Sequence, residues 1–77
     1  EVATRLKSRS SYEELTAREL DVLVQLARGR ANKEIADALG ISEYTTKGHL
    51  KSILAKLRVA DRTQAVIAAV QRGIIHF

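Results

Sequence analysis

The 77-residue chain contains no cysteine, which excludes disulfide staples and thiolate metal sites. That lack fits a reducing compartment. Methionine is absent as well, and the chain opens on Glu1, so we expect a domain of a longer protein. No apolar run approaches the ~18 residues of a membrane helix, and no signal peptide opens the chain. A cytoplasmic protein without a membrane partner is therefore expected. Only two histidines occur, His49 and His76, and they share no ligand spacing. Metal binding and acid–base catalysis need clustered ligands or a positioned pair. No nucleophile–base–orienter set can be assembled either. The sequence thus predicts no metal, no cofactor and no enzyme.

What is present suits one small helical domain. A chain this short buries only about 60% of the surface its unfolded form exposes, which leaves little room for an enclosed pocket. Thirteen Lys and Arg against nine Asp and Glu give a net charge of +4, a balance that favours polyanionic partners. Residues 1–14 hold Arg5, Lys7 and Arg9 among serines and show no lasting period. They read as a linker or N-terminal extension, with a basic arm touching DNA as the alternative. The ordered domain is expected over 15–77.

Within it, Thr16-Ala-Arg-Glu19 matches a capping box. Val22, Leu23, Leu26 and Ala27 follow at helical spacing, and Gly29 supplies a left-handed stop. A second helix from about Asn32 puts Ile35, Ala36 and Leu39 on one face and ends at Gly40. Ser42 caps a third helix running to about Leu57, and Asp61 or Thr63 starts a fourth, closed by Gly73. The predicted fold is all-α: a compact four-helix bundle containing a helix-turn-helix.

Projected at 100° per residue, the third helix divides its labour. Thr46, His49, Leu50, Ile53, Leu54 and Leu57 make the face to be buried, with His49 expected in a bond between helices. Tyr44, Gly48, Lys51 and Ala55 lie opposite, with Lys47 on one shoulder and Thr45 and Ser52 on the other. Glu43 is the only acid in the helix, at the N-terminal end where the dipole favours it. A solvated face would more often mix Glu with Lys at i,i+4 spacing. The short connection Gly40-Ile41-Ser42 has the length of a helix-turn-helix corner, in which the second helix enters the major groove of double-stranded DNA.

The blocks "LTARELDVLVQLARG", "NKEIADALGIS", "TTKGHLKSILAKL" and "DRTQAV" resemble successive parts of the LuxR-type helix-turn-helix domain, most of all the C-terminal output domains of NarL/FixJ-type response regulators. The resemblance runs from Leu15 to about Ile75. It implies a four-helix DNA-binding domain with the third helix as reader, a receiver domain upstream, and homodimers on inverted repeats. It places Lys47, Gly48 and Lys51 toward bases; Tyr44, read from the helix projection, either stacks or contacts a sugar edge, or covers aliphatic surface. Asn32 and Lys33 become phosphate candidates, and Thr45, Ser52 and Lys56 further ones. The chain also departs from the family pattern. Thr46 replaces a common Val, Gly48 interrupts the helix, and Ala31 replaces a frequent Ser or Thr cap, leaving Asn32 as the expected substitute. Arg58 stands where the pattern has Gly, so the third helix is expected to end differently.

In the fourth helix Val66, Val70 and Ile74 are expected to dock on the core. Ala65, Ala68, Ala69 and Arg72 would then form an exposed surface for dimer contact. Two other readings compete: a promoter-binding domain similar to region four of sigma factors, and a protein-interaction module that reuses the helix-turn-helix.

Overall fold

The computed structural model describes residues 14–76. Apart from Glu14, the expected linker and its basic cluster lie outside the described residues. Four helices follow one another: α1 Ala17–Ala27, α2 Asn32–Leu39, α3 Glu43–Leu57 and α4 Arg62–Gln71. Helices α1 and α3 form the centre, in contact with each other, and α2 and α4 each pack on both.

Local chemistry sets the boundaries. At the start of α1 the Thr16 hydroxyl accepts from the Glu19 amide at 3.1 Å, and Glu19 Oε1 accepts from the Thr16 amide at 2.9 Å. The reciprocal pair satisfies two donors the helix would otherwise leave open. Ser42 Oγ accepts from the Thr45 amide at 2.9 Å to start α3. Asp61 Oδ1 accepts from the Gln64 amide at 2.9 Å to start α4.

All four helices end alike. The amide just past each end reaches back five residues: Arg30 to Gln25, Ile41 to Ala36, Val59 to Leu54 and Ile74 to Ala69. This is the Schellman closure, which needs a left-handed residue just before that amide. Gly29, Gly40 and Gly73 supply it three times, but at α3 it is Arg58, with φ 60°. The expectation that arginine would change the ending is therefore corrected. The same bonds form, with Cβ crowding accepted at one residue.

The core gathers Val22, Leu23, Leu26, Ile35, Leu50, Ile53, Leu57 and Ile75 with Ala65 and Ala69. Full burial of each large aliphatic side chain contributes about 1.5–3 kcal/mol. The α4 expectation holds for Val66 and Ile74, which pack against the core, but not for the alanines: Ala65 and Ala69 are fully buried and Ala68 nearly so. Val66 and Ile74 are half-buried, and Val70 is 39% exposed. The short alanine side chains let α4 approach its neighbours closely, since interhelical distance follows the side chains at the contact. Both sides of α4 are apolar, so its own pattern did not decide which turned inward. Ile67 and Val70 are the large apolar side chains it exposes, and Arg72, just past the end of the helix, is exposed as well.

Candidate nucleic-acid interface

The Gly40-Ile41-Ser42 corner turns the chain from α2 into α3. Thr46, Leu50, Ile53 and Leu57 are the buried residues of α3. They recur every three or four positions, so one stripe of the helix faces the core and the rest faces solvent. The Thr46 hydroxyl is spent inside the helix, donating to the Ser42 carbonyl at 3.0 Å. A polar side chain is thereby carried at zero exposure.

On the outer side Tyr44, Thr45, Lys47, Gly48 and Lys51 are all exposed, Tyr44 to 87%. With His49 they line an open hollow of about 500 Å³ along the helix. Two ammonium groups one helical turn apart, a phenol, a hydroxyl and a stretch of low relief at Gly48 make a cationic surface rich in donors. Such a surface can bond to phosphate oxygens and to guanine O6 and N7. His49 is half-buried on the flank and makes no hydrogen bond among the described residues, so the expected bond between helices is not formed.

Farther along α3, two polar side chains are engaged within the domain. Ser52 Oγ donates to Glu19 Oε2 at 2.6 Å, and Lys56 Nζ lies 2.8 Å from Glu19 Oε1. Ser52 and Lys56, expected among the phosphate contacts, are both turned to a carboxylate on α1. Glu19 itself is 5% exposed. Burial pushes its carboxyl up, but bonds from Lys56, Ser52 and the Thr16 amide, with the Lys56 charge, outweigh this and bring the pKa from 4.5 down to about 2.

At α2 the N-cap is Ala31, whose methyl cannot accept a bond. Only the return half of the box forms, with Glu34 Oε1 accepting from the Ala31 amide at 2.8 Å. Asn32 is the first helical residue and does not cap, contrary to expectation. Its Oδ1 accepts from Arg62 Nη1 at 3.3 Å, while its amide nitrogen remains a donor. Lys33 beside it is exposed. Sequence reasoning missed both Glu19 as the anchor of α3 and Arg62 as a clamp. The partners of Glu19 lie 33 and 37 residues away and those of Arg62 lie 30 and 32 away, beyond any local pattern. Among the described residues no helix is long and apolar enough to cross a membrane.

Residues 13–69 match the family model described as GerE, bacterial regulatory proteins of the luxR family. The uncharacterized transcriptional regulatory protein YhcZ of Bacillus subtilis (strain 168) is 57% identical over 66 residues, covering 86% of this chain and 31% of that protein. The crystal structure of response regulator ChrA, from a heme-sensing two-component system, superposes with a TM-score of 0.79 at 43% identity, over 96% of this chain and 38% of that one. The transcription factor GerE gives 0.72 at 36% identity, over 77% of this chain and 88% of its own. The chain spans about a third of the length of the curated relatives it matches.

Proposed function

The chain belongs to the luxR family of bacterial regulatory proteins, and from that premise we propose that it reads specific sequences in double-stranded DNA with α3 in the major groove. One observation carries the reading: Lys47, Gly48, Lys51, Tyr44 and Thr45 are exposed together along α3 while the opposite stripe holds the core. Lys47 and Lys51 donate to base edges, and Gly48 gives the groove floor room. Thr45, Lys33 and the free amide of Asn32 fix register on phosphates, aided by the partial positive charge at the start of α2.

Two copies bind inverted half-sites as a homodimer, meeting through the outer side of α4 at Ile67 and Val70, with the exposed Arg72 at the end of the helix. Residues 1–14 link this domain to an upstream receiver, and the whole is a cytoplasmic response regulator rather than an enzyme. The family match favours this reading over a domain similar to sigma region four.

Selection of bound duplexes from a random pool tests it, because specificity, half-site symmetry and spacing emerge together. On the selected operator, Lys47→Ala should weaken binding by about 1–3 kcal/mol if Lys47 contacts a base. Equal weakening on scrambled duplex would reassign it to a phosphate. The log–log dependence on salt should have a slope of about −0.9 per phosphate neutralised. Failure to retain any duplex at low salt would leave the rival, a protein-interaction module, in place.

A further inference from the structure

We propose that Glu19 is a positioning residue for DNA reading: it fixes the rotation of α3 about its own axis, and so the angle at which Lys47, Gly48 and Lys51 meet the groove. This rests on the DNA-binding reading above.

The geometry supports it from both sides. The buried stripe of α3 is Thr46, Leu50, Ile53 and Leu57, and aliphatic contacts are non-directional. Hydrophobic residues of roughly the right volume specify that the helix packs, less sharply how it is rotated. Glu19 adds direction. One of its oxygens takes the Thr16 amide and Lys56 Nζ, and the other takes Ser52 Oγ at 2.6 Å. Ser52 and Lys56 are one turn apart on α3, so two charge-assisted bonds hold the helix at two heights. The carboxylate is in turn held at the start of α1 by the capping box. Fixing register is the best-attested use of a buried ionic group.

The lever arm makes small rotations matter. With side chains a helix has a radius of roughly 5–6 Å, so a turn of about 20° moves its periphery by about 2 Å. Hydrogen bonds to base edges tolerate far less, whereas phosphate attraction is long-ranged and forgiving. Loss of the anchor should therefore damage specific binding much more than non-specific binding.

Glu19→Gln separates this from simple electrostatics. Glutamine still suits the capping box, and the change raises the net charge by one, which alone would tighten binding to any duplex. The positioning role requires the opposite on the operator: affinity about 10-fold lower or more, with scrambled duplex changing by no more than about 3-fold. Lys56→Met, which lowers the net charge by one, should give the same loss of specificity. The double variant should lose little beyond either single one, because the network is shared. Unchanged or tighter operator binding by Glu19→Gln would overturn the proposal, as would equal losses on operator and scrambled DNA. A second readout needs no DNA: amide NMR signals of Lys47, Gly48 and Lys51 should move in Glu19→Gln, and signals that stay in place refute the anchor. If the parent chain bound no duplex, the DNA reading would fail, and these signals would still decide whether Glu19 sets the rotation of α3.

Discussion

Arg62 Nη2 donates to the Arg30 carbonyl at 2.6 Å while Nη1 donates to Asn32 Oδ1 at 3.3 Å. One guanidinium at the start of α4 thus bridges the turn after α1 and the first residue of α2. The fork of Arg reaches two acceptors at once, which a Lys ammonium on a flexible stem does poorly. It also occupies the acceptor of Asn32 and leaves the amide nitrogen as the group that can face a phosphate.

Arg62→Ala should cost about 0.5–1.5 kcal/mol, because the groups it joins are exposed and regain water. Arg62→Lys should recover less than half of that. Urea unfolding monitored by far-ultraviolet circular dichroism measures both. A neutral Arg62→Ala would mean that the turn holds its shape without the bridge.

Glu19 makes the fold acid-sensitive in a defined window. Its carboxyl titrates at about 2 when folded, against 4.5 ordinarily. A depressed carboxylate binds protons more weakly when folded, so its stabilisation is complete above about pH 4.5 and fades as pH falls toward 2. The shift corresponds to a contribution on the order of 3 kcal/mol at neutral pH. Glu19→Gln should flatten the stability profile between those limits and leave its shape above pH 5 unchanged. Urea midpoints from pH 2 to 7 report it. A parallel loss at every pH would show that the carboxylate is not the titrating group.

Most element boundaries could be read from residues because capping is local chemistry. Thr16 with Glu19, Ser42, Gly29, Gly40 and Gly73 each declare a helix end within four positions. The outer side of α3 was legible for a similar reason, since a buried aliphatic stripe leaves the opposite side to Lys47 and Lys51. What stayed hidden depends on contacts through space. Nothing near Ser52 or Lys56 marks Glu19 as their partner, and two hydroxyl- and amine-bearing residues on a shoulder read equally well as phosphate ligands. In α4, alanines and valines lie on different sides and both suit an apolar neighbour, so composition alone does not say which side packs closest. Packing distance then decided in favour of the smaller residues.

Arg58 closes α3 in the left-handed region, at φ 60° and ψ 48°. An L-residue there costs roughly 1–2 kcal/mol, and glycine is free of that cost but gains entropy in the unfolded chain. Arg58→Gly should therefore stabilise by about 0.5–1 kcal/mol net, and Arg58→Ala should bring no such gain. Thermal unfolding of the two variants separates the backbone effect from loss of the guanidinium. Equal behaviour would place the strain elsewhere.

Gly48 gives the sharpest division between folding and binding. It lies within α3, is exposed, and a Cβ built on it meets nothing within 4 Å. Packing therefore does not require glycine there, while the helix is weakened by it. Gly48→Ala should raise stability by about 0.8–1.0 kcal/mol through helix propensity alone. If the backbone at Gly48 comes close to the groove floor, the same methyl group must reduce operator affinity, and Gly48→Val must reduce it further. Stability and affinity would then move in opposite directions in one variant, which loss of folding cannot imitate. Anisotropy titrations on operator and scrambled duplex, beside urea unfolding of the same samples, measure the pair. Unchanged operator affinity in Gly48→Ala would remove Gly48 from the contact surface and leave the reading to Lys47 and Lys51.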